Sequence, residues 1–255
     1  MLVVCHDEPD LEGLDSPALH VLRAPFPEPV GLPEAAGDKA RKRRFAAAVL
    51  RRAMVEDELY AMFLDADDLV HRDLVRYVLD GGKASYLIDE GYVADLAHRV
   101  LRHRTLGFSR SCGSSFVCRF TREELPARWD DLDAPFSQFG APPDKPGHEH
   151  YDQVAAGLAR PPILVPFPAV VYVVNHGDNL WSSRRDGRLR PIEHPRGIVS
   201  SRAARRVLAE EFSAPDIASL LAGQGRIAWA RLVGVRMRLG ASAAAFAGAR
   251  LQSRG

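Results

Sequence analysis

FLDADDLVHRD, residues 63–73, closes the apolar run AMFL and then sets three carboxylates, Asp65, Asp67 and Asp68, within four positions. AMFLD reads as a buried strand, and Val70, Leu74 and Val78 recur after it at helical spacing until Gly81-Gly82 supplies a stop. The expectation is a strand-to-helix turn that carries the carboxylates. Grouped charges of one sign repel unless a cation or strong donors compensate, and a hard divalent ion with oxygen ligands is one solution. The local alternative is that Asp68 caps the helix, Asp65 ends the strand and Asp67 is solvated.

On either side the pattern alternates strand with helix. Leu2–Cys5 and His20–Leu22 read as two strands joined by an acidic, proline-rich surface loop. From Asp38, DKARKRRFAAAVLRRAMVEDEL places Phe45, Val49 and Ala53 on one stripe of an amphipathic helix. Downstream, SYLI and YVADL flank a turn at residues 89–91, the basic stretch LRHR follows, and SSFVCRF reads as a further strand. Residues 126–148 are rich in Pro, Asp and Gly and read as a long loop. HYDQVAAGL is a short helix candidate, and PPILVPFPAVVYVVNHGDN offers two apolar runs that end in a polar cluster. RAARRVLAEEF reads as a helix, and the Ala-rich end as a packed helix or a loose tail.

Composition narrows the classes of function. The 255 residues are 46% apolar, enough for a substantial core. Lys plus Arg total 34 against 33 for Asp plus Glu, a balance that gives no support to a general nucleic-acid binder. The three cysteines show neither CxxC spacing nor nearby paired histidines, so a reducing cytoplasm is the simplest compartment. No apolar run reaches the roughly 18 residues that span a bilayer, although peripheral membrane contact stays open. No internal repeat appears. Strand ends bearing polar groups point to an α/β sheet with its ligand at the carboxyl edge.

Three uses of a DxD can be compared. An EF-hand counted from Asp65 needs Gly where Val70 stands and an acid where Arg76 stands, and fails. A haloacid-dehalogenase-type phosphatase would use Asp65 as nucleophile and Asp67 as general acid, but usually carries the motif on its first strand, with Thr or Val where this chain has Leu69. MFLDADDLVHRDLVRYVLD resembles the DxD region of GT-A glycosyltransferases, particularly bacterial family-2-like enzymes. CGSSFVCRF resembles their acceptor-side strand. GHEHYDQVAAGLARPPILVPFPAVVYVVNHGDN resembles their acidic helix and following strand pair.

The resemblance covers about residues 1–180. It implies a GT-A-like, Rossmann-like mixed sheet flanked by helices, with residues 181–255 as a C-terminal extension of basic loop and helix. It implies transfer of a sugar from a nucleotide-sugar donor to a saccharide or other hydroxyl acceptor, with Mg²⁺ or Mn²⁺ on the donor diphosphate. Asp67 is then the expected metal ligand, assisted by Asp68 and by His176 in VVNHGDN, while Asp65 contacts ribose or metal-bound water. Inverting members need a carboxylate base; Glu149 and Asp152 match the acidic helix, and Glu149 is the first choice. His6 and Asp7 occupy the strand end that usually contacts the nucleobase. Asp38 and Lys42 lie at the donor-side helix, where Lys42 would neutralise the diphosphate; most of that basic run reads as a solvated face. His176, Asp178 and Asn179 read equally well as loop residues, and Glu149 as a helix N-terminal acid. The family fold begins with another strand and helix, so a shortened donor pocket, or a non-catalytic binding domain, is the expectation from the chain's start.

Overall fold

The computed structural model describes residues 1–9, 16–82, 84–131, 161–176 and 197–221. β1 (Leu2–Cys5) and β2 (His20–Arg23) pair in parallel. α1 (Leu32–Ala53) follows, opening at Gly31, whose φ of 91° suits glycine, with the Glu34 carboxylate accepting the Val30 N–H at 2.8 Å. Then come β3 (Glu58–Met62), β4 (Leu69–Val70), α2 (Leu74–Asp80), β5 (Tyr86–Leu87), β6 (Gly91–Asp95), β7 (Val100–Arg104) and β8 (Phe116–Thr121). β9 (Ile163–Leu164) and β10 (Val170–Val174) precede α3 (Ser201–Arg206), which runs on through a π-type turn at Val207–Glu211, and α4 (Pro215–Leu221).

The chain is mixed α/β with mixed sheets, as its alternating pattern implies. Among the described residues the strands divide among a two-stranded sheet and two four-stranded ones, ordered β4-β10-β6-β7 and β3-β8-β5-β9. In the first, β10 and β6 are parallel and the outer pairs antiparallel. In the second, β5 and β9 are parallel and the rest antiparallel.

Period-2 alternation explains how the sheets stack. Val170 and Val174 of β10 join Val93 of β6, Tyr86 of β5 and Val117 of β8 in one core between the two four-stranded sheets. The opposite faces of the second sheet, Leu87, Phe116, Cys118 and Phe120, pack with Ala47 and Leu50 of α1. The opposite face of the first, Tyr92, Ala94, Val171 and Val173, packs with Ala204, Leu208, Phe212, Ile217 and Leu221 of the C-terminal helices. The layers therefore run helix, sheet, sheet, helix. Gly91 lies flat on the buried Phe108 ring, where a Cβ would come within 2.7 Å of ring carbons.

Several element boundaries differ from expectation. α1 begins six residues before Asp38 and ends at Ala53, and β3 begins at Glu58 rather than Ala61. Its inward line is Arg44, Ala47 and Ala48, with Ala53 exposed; the two alanines let the helix lie close to the sheet. LRHR is a strand, hidden in the sequence by its alternating basic side chains. Residues 197–199 add to its edge through His103 N–H to the Gly197 carbonyl and Val199 N–H to the Leu101 carbonyl, both 2.8 Å. The helix candidate HYDQVAAGL, most of the loop at 126–148 and the Ala-rich end lie outside the described residues. Among the described residues no helix is long and apolar enough to cross a membrane.

Residues 197–221 thus share a core with the β4-β10-β6-β7 sheet. Leu208 is fully buried there, so Leu208→Ala should lower unfolding stability by about 3 kcal/mol. Urea titration measures this. A loss below about 0.5 kcal/mol, the size of a surface effect, would contradict the packing.

Candidate active site

The acidic turn is a strand-to-strand connection, not the expected strand-to-helix one. β3 ends at Met62, the Asp68 N–H donates to the Asp65 carbonyl at 3.0 Å, and Leu69–Val70 then pairs with β10. α2 starts only at Leu74, after Asp73. Asp68 therefore does not cap it, and the helix-cap reading of the acidic cluster fails.

Each of the three carboxylates is compensated in a different direction. Asp65 faces α1, where Lys39 Nζ lies 2.5 Å and Arg43 Nη2 3.5 Å from Oδ1. The Arg43 guanidinium also lies over the Phe63 ring, 5.4 Å from its centroid. Asp67 points to His176, whose Nε2 is 2.9 Å from Oδ2 and whose side chain is buried. Asp68 turns inward. Its Oδ2 meets the Cys112 thiol at 3.3 Å and its Oδ1 the Val173 N–H at 3.4 Å. The Ser114 hydroxyl accepts the Asp65 N–H at 2.9 Å and hydrogen-bonds the Asp68 carboxyl.

Burial, with the charges of Asp67 and Asp65 adding to it, pushes the Asp68 carboxyl up to about 7 against the opposing effect of Ser114 and Cys112. Burial likewise pushes the Cys112 thiol well above its ordinary range, so it stays a donor to Asp68. The repulsion in the cluster is relieved by cations for Asp65, an imidazole for Asp67 and a retained proton for Asp68.

A second group adjoins the first through α1. His6, just past β1, meets buried Asp38 at 2.8 Å, and Lys42 closes on the other Asp38 oxygen at 2.8 Å, one helical turn along. Phe26 lies edge-on to His6 with centroids 5.6 Å apart and is covered by Arg41 and Trp129. Asp7 is exposed beside this group. The structure thus joins Asp65, Asp67, Asp68 and His176 by direct contacts, and links His6, Asp38 and Lys42 to them through one face of α1. Glu149, Asp152, Asp178 and Asn179 lie outside the described residues.

Lys39, Arg43, Cys112 and Ser114 were not singled out by the sequence. Lys39 and Arg43 had a signal, since i, i+4 spacing puts both on one helix face with Asp38 and Lys42 beside them. Ser114 and Cys112 had none, being brought to the turn from about 45 residues downstream.

Among the described residues no three His, Cys, Asp or Glu side chains are arranged to hold a metal ion. Mg²⁺ in phosphate-handling sites is commonly held by one or two carboxylates, with phosphate and water filling the other positions. Asp67, partly exposed, fits that donor chemistry; His176 fits once Nε2 gives up its hydrogen. No protein-family model matches the chain, and no curated protein or solved structure matches it either.

The Asp68 carboxyl makes stability depend on pH. An ordinary carboxyl ionises near 3.8, whereas the folded chain holds this proton to about 7. Between those limits the native state binds more protons than the unfolded one, so this contribution to stability falls as pH rises from about 4 to about 7 and is constant above. Asp68→Asn should remove that slope and, at pH 8 in metal-free buffer, gain on the order of 2 kcal/mol. Urea titrations at pH 4.5 and pH 8 check it; parallel slopes for the two proteins would refute the assignment.

Proposed function

We propose that the chain is a metal-dependent glycosyltransferase that moves a sugar from a nucleotide-sugar donor to a hydroxyl acceptor with inversion, on a GT-A-like arrangement. The observation that carries this reading is the acidic turn at the end of β3, flanked by the cations of α1 and touched by His176. That combination suits a diphosphate: fixed positive charge from Lys39, Lys42 and Arg43 on one side, a carboxylate able to take a cation on the other.

Asp67 and His176 would hold Mg²⁺ or Mn²⁺. When bound, the ion offsets the negative charge that develops on the departing diphosphate. The chain's own residues position the donor around it. Lys39 and Arg43 keep Asp65 in place and set positive charge on the phosphate side, and Asp65 is the ribose-side carboxylate. His6 and Phe26 stand at the nucleobase end, fixed by Asp38 and Arg41. Asp68 does not ligate in this scheme; its buried carboxyl holds the turn that aims Asp67. The balanced overall charge agrees with small-molecule partners rather than nucleic acid, and the absence of a disulfide pattern with a cytoplasmic site of action.

Calorimetry with nucleoside diphosphates and Mn²⁺, and incubation with a panel of nucleotide-sugars, test the reading on the full chain. Diphosphate binding should require the metal. Asp67→Asn should weaken it at least about 10-fold with unfolding stability changed by no more than about 0.5 kcal/mol. A folded protein that gives no heat with any diphosphate and consumes no donor would sink the proposal.

A further inference from the structure

β6 and β10 run parallel, so their carboxyl ends open on one edge, with Asp95 in register with Val174. The ladder continues one step, Leu96 N–H donating to the Val174 carbonyl at 3.1 Å. Asn175 then adopts left-handed backbone (φ 56°), which asparagine tolerates, and its Nδ2 donates to Asp95 Oδ2 at 2.9 Å. The next residue, His176, reaches Asp67. Neighbouring strands lie about 5 Å apart, so Asp95 stands one strand from the segment that contacts the acidic turn.

Asp95 is itself buried. Its Oδ1 accepts the His98 backbone N–H at 3.0 Å, and its Oδ2 meets His98 Nδ1 at 2.7 Å. A carboxylate accepting from Asn175 and a backbone amide is an acceptor toward the ring too, so Nδ1 carries the hydrogen and Nε2 holds the lone pair. That nitrogen has no hydrogen-bond partner among the described residues, and the His98 side chain is 32% exposed. The needs of the β6–β7 turn account for the backbone bond. They do not account for a partly exposed ring held through Nδ1 by a buried carboxylate, beside a strand end that leads to Asp67.

We infer that His98, oriented by Asp95, is the proton acceptor for the attacking hydroxyl, an inference that rests on the glycosyltransferase reading above. The acceptor oxygen bonds to the anomeric carbon as its O–H proton passes to His98 Nε2. The bond from that carbon to the diphosphate oxygen breaks, and its electron pair leaves with the diphosphate. Asp95 is a positioning residue: it holds the Nδ1–H tautomer and stabilises the imidazolium that forms. Glu149, assigned this role by resemblance, is the competing residue.

The test uses the full chain with Mn²⁺ and uridine and guanosine diphosphate sugars. It reads donor consumption with water as acceptor, and nucleoside diphosphate binding by calorimetry. His98→Gln should lower turnover about 100-fold with diphosphate affinity unchanged. His98→Gly should regain activity with added imidazole, a rescue that a purely structural role would not give. Ring ¹⁵N resonances should place the hydrogen on Nδ1 of His98 in the wild type, and Asp95→Asn should lose that preference. If the wild type consumes donor and His98→Gln does so equally, or if Glu149→Gln alone abolishes turnover, the His98 assignment falls and the glycosyltransferase reading stands. If the wild type neither binds diphosphate nor consumes any donor, both fall.

Discussion

The buried carboxyl of Asp68 is the contact on which the geometry of the acidic turn depends. β4 is only two residues long and pairs with Val170 and Val171 of β10. Beyond it the β10 edge would present the Val173 N–H to an apolar interior, and Asp68 Oδ1 takes the place of the missing strand partner. Its other oxygen receives Cys112, from the loop leading into β8 of the second sheet. One side chain thereby ties the turn to both four-stranded sheets. A carboxyl in that position is costly as an anion, and its retained proton lets the turn stay buried without a second cation.

α1 solves the complementary problem on the outside. Asp38, Lys39, Lys42 and Arg43 fall at i, i+1, i+4 and i+5, so the Asp38–Lys42 ion pair and the two cations Lys39 and Arg43 share one helix face. Asp38 and Lys42 hold the end of β1 through His6, while Lys39 and Arg43 hold the end of β3 through Asp65. The Lys39–Asp65 pair, with the Lys39 side chain exposed, contributes little to stability. The effect of these contacts is positional: they set a row of cations at a fixed distance from the acidic turn. The two alanines on the inner line of the same helix make that approach close enough.

Apolar alternation carried most strands of the core in readable form, and Gly81-Gly82 marked the end of α2 where it is found. What escaped the sequence is what depends on distant partners. β7 was obscured because its charged side chains Arg102, His103 and Arg104 dominate its composition while only Leu101 is buried. The stripe of α1 was placed on the larger apolar residues, whereas packing chose the small ones. The three-carboxylate cluster was legible as a site needing compensation, but not the means. Ser114, Cys112 and His176 arrive from 49, 44 and 109 residues away in their contacts with Asp65, Asp68 and Asp67. Two strand ends that form the polar edge, Asp95 and Asn175, are 80 residues apart.

The parallel pairings decide where such residues can gather. Open α/β sheets bind ligands outside the carboxyl ends of their parallel strands, and three parallel pairs exist among the described residues. The β5–β9 pair runs on into Ile88 and Val165, which are buried in the core between the sheets, and the next residue, Asp89, is turned to the 107–109 segment, where it accepts the Gly107 and Ser109 N–H groups. The β1–β2 pair contributes His6. The β6–β10 pair ends in a polar set on both strands, Asp95 on one and Asn175-His176 on the other, and it is this set that touches Asp67. β3, which belongs to the other sheet, sends its end to the same place through the acidic turn. The ends of β1, β3, β6 and β10 are therefore tied by four groups of side-chain contacts, His6–Asp38–Lys42, Lys39–Asp65, Asp67–His176 and Asn175–Asp95–His98, with α1, the acidic turn and the Asn175-His176 backbone linking one group to the next. Stacking two sheets rather than extending one is what lets a strand from each layer deliver charge to a shared edge.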